Sequence, residues 1–132
     1  MLEIPKKIFE EMIEHLRSEF PFEGCGVLAG KRNKVEKLIR LTNTKKSPTA
    51  YLADPFEQLN MLKEIEREQI EMLAIYHSHP NNEAYPSMED IEKAFYNEQL
   101  YLIVSFLDKK NPVARIFSIV NREISEEKFK VF

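Results

Sequence analysis

An apolar run of strand length, Met72-Leu73-Ala74-Ile75-Tyr76, ends in His77-Ser78-His79-Pro80, and this junction constrains the fold more than any other part of the chain. A short run without polar interruption reads as a buried strand, which requires a sheet with structure packed against it. In an extended backbone, residues two apart project to the same side. His77 and His79 can therefore reach one metal ion while Ser78 points away. Open α/β sheets place ligand sites at the C-terminal ends of their strands, and the two histidines are expected just beyond this one.

Seven residues separate His79 from Ser87, and Asp90 stands three positions further on. Ser87-Met88-Glu89-Asp90 has the form of a capping box, in which hydroxyl and acid satisfy free amide donors of a helix's first turn. Asp90 is also a candidate metal ligand. Ser87 keeps both a capping and a chemical reading, while Asp90 is assigned to the metal. Two imidazoles and one carboxylate leave a fourth tetrahedral position open, the feature that separates hydrolytic from structural zinc. Histidines at strand ends also serve as plain packing residues.

A hydrolytic site needs a base, and the candidate is Glu23, far upstream. It precedes Gly24-Cys25-Gly26, small residues that let a carboxylate approach a neighbouring loop, although by spacing alone it reads far more readily as a solvated surface acid. Cys25 lies in an apolar run and reads as a small buried hydrophobe, not a nucleophile. His15, at the border of an amphipathic stripe, reads as a surface or packing residue.

The remaining pattern alternates helices and strands. Helical spacing of Ile8, Phe9, Met12, Ile13, Leu16 and Phe20 predicts a helix from Pro5 to Phe20. Gly24–Ala29 and Val35–Thr42 read as a hairpin around the charged turn Gly30–Lys34. Thr44–Pro55 is a loop with a short extended piece at Ala50–Ala53. Asp54 caps a helix that starts at Pro55 and runs to about Gln69. A helix is expected from Ser87 to about Asn97, then strands at Tyr101–Phe106, Val113–Val120 and Glu127–Phe132, with a turn at Asp108–Pro112. The polar loop Asn81–Pro86 is expected to order when substrate binds.

A chain of 132 residues, 43% hydrophobic, is large enough to build one core without staples. Its net charge of -3 with both signs dispersed offers no basic stripe, which argues against nucleic acid as a partner. No apolar run approaches a membrane span. One cysteine makes no internal disulfide, and the amino-terminal residues lack the apolar stretch of a signal peptide, so a cytoplasmic location is expected.

Taken together, Glu23-Gly24-Cys25-Gly26-Val27-Leu28-Ala29-Gly30 and His77-x-His79-x7-Ser87-x2-Asp90 resemble the JAMM, or MPN-plus, metalloprotease family in its small prokaryotic form. No motif position departs from the pattern. Four fixed residues at background frequency recur by chance on the order of once in several thousand chains, so the match is specific. The resemblance covers nearly the whole chain. It implies an α/β fold, a single cytidine-deaminase-like domain over residues 1–132 with a curved mixed β-sheet packed between helices. It also implies zinc, about one Zn2+ per chain, bound by His77, His79 and Asp90, with Glu23 deprotonating the water and Ser87 stabilising the oxyanion. The implied reaction is (iso)peptide hydrolysis after the C-terminal glycines of ubiquitin-like or sulfur-carrier proteins. A homodimer is compatible with it. The short connections around the motif argue against selectivity for linked ubiquitin chains.

The alternative is a non-catalytic MPN-type scaffold module, but such members typically lose a ligand position and all five are present here. A zinc deaminase is excluded, since its downstream Cys-x-x-Cys pair is impossible in a chain whose single cysteine is Cys25.

Overall fold

The computed structural model describes residues 1–94 and 98–132. Eight strands form one mixed sheet: β1 (Leu2–Ile4), β2 (Cys25–Lys31), β3 (Lys34–Leu41), β4 (Glu71–His79), β5 (Leu100–Ser105), β6 (Val113–Val120), β7 (Glu123–Glu127) and β8 (Phe129–Val131). They lie in the order β7-β6-β5-β4-β2-β3-β1-β8. The described helices are α1 (Lys6–Glu19), α2 (Pro55–Glu68) and α3 (Met88–Glu92).

The two helices expected from periodicity are present, and α2 begins as its sequence dictates. The Asp54 side chain accepts from the amides of Phe56 and Glu57 at 2.8 and 3.1 Å, with Pro55 in the first turn. The hairpin between β2 and β3 is tighter than the charged cluster suggests. Arg32 and Asn33, both with positive φ, form the turn, so each strand gains residues. The helix expected from Ser87 to about Asn97 is shorter: α3 ends at Glu92, with Lys93 as its C-cap, and residues 95–97 lie outside the described residues.

Three expectations are corrected. The buried strand does not stop before the histidines: β4 runs through His79, paired on both sides, because Ala74–His79 align in parallel with Leu100–Ser105 of β5. The single carboxyl-terminal strand is two strands. β7 turns back on β6 through Asn121 and Arg122, both with positive φ, while β8 pairs with β1 at the opposite end of the sheet. The amino terminus, to which the sequence reading assigns no element, is strand β1, held between β3 and β8 by parallel pairing, with Leu2 and Ile4 buried. Only Lys128 separates β7 from β8. One residue spans no more than about 7 Å between its flanking Cα atoms, so the ends of the sheet curl toward each other. The curvature is thus a consequence of connectivity.

Strand alternation sends side chains to two layers. Met12 and Leu16 of α1 pack with Leu28, Tyr76, Leu102 and Ile116 on one face. Met61 and Ile65 of α2 pack with Cys25, Val27, Ala29 and Leu41 on the other. On the α1 face Gly26 lies against the Tyr76 ring, in space that a Cβ would occupy. The Tyr76 hydroxyl is 2.7 Å from His15 Nδ1, and His15 Nε2 faces the Glu19 carboxylate at 3.7 Å. This arrangement puts the proton on Nε2 and makes Tyr76 the donor. His15 is therefore a buried packing residue with a partner. Burial, then Arg40, pushes its pKa down from 6.5 to about 4.

The sign of the pH effect follows. Between pH 6.5 and 4 the unfolded chain binds the His15 proton and the folded chain does not, so this contribution is full above 6.5 and lost as pH falls toward 4. It amounts to about 3 kcal/mol. Chemical denaturation of His15→Gln across this range is expected to show a stability slope shallower than that of the wild type by roughly one proton.

Candidate active site

β4 delivers His77 and His79 to the sheet face that α2 covers, and both are buried, at 1% and 4% exposure. Their Nε2 atoms are 3.2 Å apart, and Asp90 Oδ2 lies 3.2 Å from the first and 3.0 Å from the second. Ligands about 2.0–2.1 Å from a tetrahedral zinc stand about 3.3–3.4 Å from one another, so this triangle is close to the size of one tetrahedral face. His79 Nδ1 donates to the Glu83 carbonyl at 2.8 Å, which leaves Nε2 as the lone-pair donor that a metal requires. The donor set and its spacing fit zinc.

Asp90 is held by the start of α3. Ser87 Oγ accepts from the Asp90 amide at 3.1 Å, and Asp90 Oδ2 accepts from the Ser87 amide at 2.9 Å. The capping box is formed, and the same Oδ2 faces both imidazoles. Burial pushes the carboxyl pKa up, but the His77 charge and the hydrogen bonds from His77, His79 and the Ser87 amide outweigh it. Together they hold Asp90 well below the usual carboxylate range. Ser87 Oγ uses a lone pair in the cap, so its hydroxyl proton is free to donate elsewhere.

Glu23 comes to the histidines through sheet register. Cys25 of β2 pairs with His77 of β4 in antiparallel alignment, and the Gly24–Ser78 hydrogen bonds carry the chain on past the end of that ladder, which brings Glu23 within the electrostatic reach of His79. The Ser78 hydroxyl, on the far side of β4, accepts from the Gly24 amide at 2.8 Å, and the Ser78 amide donates to the Gly24 carbonyl at 3.1 Å. Glu23 is 3% exposed, and its Oε1 is buried with no hydrogen-bond partner among the described residues. Burial pushes its pKa up to about 8; His79 opposes the shift and Asp90 adds to it. Such a carboxylate exchanges a proton near neutral pH.

The loop 80–86 is already anchored. Besides the His79–Glu83 bond, Ser105 Oγ donates to the Asn82 carbonyl at 2.5 Å, Ala84 is buried against Ile103 and Phe117, and Tyr85 packs edge-on to Phe117. The expectation that it orders on substrate binding finds no counterpart in these contacts. Cys25 is buried, and burial pushes its thiol up to about 12, which makes it inert.

Residues that the sequence analysis did not single out complete the surroundings. The Tyr51 ring lies over His77, with centroids 4.8 Å apart. Lys93 Nζ donates to the Tyr51 carbonyl at 3.2 Å and pairs with Glu89 at 2.7 Å. Asn43 binds the Glu23 carbonyl. The two prolines flanking Tyr51 and the isolation of Asn43 in a polar stretch gave no periodic signal to mark them.

This fold and donor set are consistent with a peptidase of the JAMM type. The family model described as prokaryotic homologs of the JAB domain matches residues 5–120. A CysO-cysteine peptidase of Mycobacterium tuberculosis is 36% identical, over 99% of this chain and 91% of its own. A probable TtuB-protein conjugate cleaving protease of Thermus thermophilus is 50% identical over 71% of this chain, a match that spans 64% of that relative. A solution structure of a Desulfitobacterium hafniense protein superposes with a TM-score of 0.90 at 36% identity, covering 100% of this chain and 93% of the other. The chain belongs to the prokaryotic JAB family, the small form of the JAMM peptidases.

Elemental analysis of the purified protein is expected to find about one zinc per chain. Asp90→Ala should lose the metal and, by removing the carboxylate half of the α3 capping box, about 1 kcal/mol of stability.

Proposed function

We propose that this chain is a zinc-dependent peptidase that hydrolyses the amide bond after the C-terminal glycines of ubiquitin-like or sulfur-carrier proteins, with His77, His79 and Asp90 as metal ligands, Glu23 as the proton-transfer group and Ser87 as an oxyanion donor. The observation that carries this reading is the convergence of three ligand atoms at 3.0–3.2 Å, with a buried carboxylate brought near them by the β2–β4 pairing. The names of two relatives support the substrate class, one a probable TtuB-protein conjugate cleaving protease and the other a CysO-cysteine peptidase. The layering of α1 and α2 on opposite faces of the sheet supports a cytidine-deaminase-like domain over residues 1–132 as part of the same reading.

Zinc, when bound, supplies Lewis acidity and brings the pKa of water toward 7. Glu23 accepts the proton of the attacking water and returns it to the leaving amine. A carboxylate so deeply buried, and without a fixed partner on Oε1 among the described residues, is suited to holding and releasing that proton. The Ser87 hydroxyl donates to the oxygen on which negative charge develops, and its place at the cap fixes its direction before substrate arrives. His79 is kept in one tautomer by the Glu83 carbonyl. No covalent enzyme intermediate is required, which agrees with an inert Cys25.

The test is cleavage of a ubiquitin-like or sulfur-carrier protein bearing a C-terminal extension. Glu23→Gln is expected to keep its zinc and lose at least about 100-fold in kcat; Ser87→Ala, roughly 100-fold. A Glu23→Gln protein that cleaves at the wild-type rate sinks the mechanism. If zinc is bound and no fusion is cut, a scaffold role replaces the peptidase reading.

A further inference from the structure

We infer that Asn43 is the positioning residue of this site: its side-chain amide fixes the main chain of Glu23 and the segment that lays Tyr51 over His77. The inference rests on the peptidase reading and adds to it a residue outside the metal-binding motif.

Asn43 is 5% exposed, and all four of its side-chain hydrogen-bonding capacities are used. Nδ2 donates to the Glu23 carbonyl at 2.9 Å and to the Ala50 carbonyl at 3.1 Å. Oδ1 accepts from the amides of Lys45 and Leu52, both at 3.0 Å. A fully satisfied buried amide specifies one arrangement, because any displacement leaves several polar groups unpaired in a dry environment. The main chain supports the same closure: Asn43 bridges Ala53, and the Thr44 amide donates to the Leu52 carbonyl at 2.8 Å.

The loop so closed returns to Glu23 a second time, since the Glu23 amide donates to the Ser47 carbonyl at 2.8 Å. Both main-chain polar groups of Glu23 are therefore bonded to residues 43–47, and one of the two bonds comes directly from Asn43. On the other side Gly24 is clasped by Ser78, next to both histidines. The carboxylate stands between two clamps, one from β4 and one from Asn43. Its own Oε1 has no partner among the described residues, so its aim is set by the backbone that carries it. Misplacement of a reacting group by about 1 Å costs on the order of 100-fold in rate.

Asn43→Asp tests this with minimal change of shape. It keeps the acceptor for Lys45 and Leu52 and replaces the donor that holds the Glu23 and Ala50 carbonyls with an oxygen that repels them. Asn43→Ser stands in where Asn43→Asp is not recovered folded. Tyr76→Phe, on the opposite face of the sheet, controls for loss of stability. Zinc content, kcat and KM are measured on the same fusion substrate, beside wild type and Glu23→Gln. The expected result for Asn43→Asp is full zinc, a KM within about threefold and a kcat lower by about 10- to 100-fold, with Tyr76→Phe within about threefold of wild type. A kcat within threefold of wild type overturns the inference alone. So does zinc lost together with activity, an equal loss in Tyr76→Phe, or failure of both Asn43 variants to fold, each of which assigns Asn43 a structural role. A zinc-loaded wild type that cleaves no fusion removes the peptidase reading and this inference with it.

Discussion

The antiparallel pairing of β2 with β4, in the register that sets Cys25 against His77, is the constraint on which the rest of the site depends. Side chains alternate with period two, so a slip of one residue would turn His77 and His79 toward α1 and Ser78 toward α2. Two local features hold the register. Ser78 and Gly24 exchange hydrogen bonds across the ladder, and the bare Gly26 admits the Tyr76 ring on the α1 face. The Tyr76 hydroxyl pairs with His15 of α1, away from the ladder, and adds stability rather than register. The Gly26–Tyr76 contact on one face of the sheet thereby sets the position of polar chemistry on the other.

Asp90 Oδ2 has two tasks at one point, receiving the Ser87 amide and facing two imidazoles. α3 spans only five residues, too short to persist on its own helical propensity. Its start is instead defined by the capping box and by the group it presents to β4. The coupling runs both ways. Whatever occupies the triangle of donor atoms orders the helix, and the capped helix keeps the carboxylate from rotating away. The salt links of Glu89 with Lys45 and Lys93 tie the same turn to the segment that carries Tyr51, but they are exposed and contribute little energy.

How much of this was legible in the chain depends on the range over which each signal acts. His77, His79, Ser87 and Asp90 lie close together, and period-two projection plus a capping box are local rules, so their convergence could be read directly. The helices α1 and α2 carry clear periodicity and, for α2, an explicit cap. Glu23 was placed by resemblance, because no local rule states that β2 pairs with β4 two steps from His79. β1, with three residues, and the division at Lys128 were missed because a short edge strand shows no alternation of its own. What defines each is a partner distant in sequence. Asn43 is the extreme case: its four bonds reach residues 23, 45, 50 and 52, and in sequence it is one more polar residue in a loop.

The electrostatics of the site follow from its burial. Two carboxylates, Glu23 and Asp90, sit with two imidazoles in a region that water scarcely enters, and buried charge is tolerated only when it is compensated. Asp90 settles this by staying ionised against the histidines, and burial leaves Glu23 favouring its neutral form. His79 is affected in the opposite sense: burial alone would lower its pKa, but Asp90 and the Glu83 carbonyl reverse the shift and favour the protonated ring. Protons and a divalent cation thus compete for the same lone pairs, and metal capture must release protons. A cation at the triangle would also favour the ionised form of Glu23, the form able to accept a proton from water. The ligand set and the base are therefore two parts of one charge balance, which explains why a carboxylate distant in sequence is held so firmly beside the histidines.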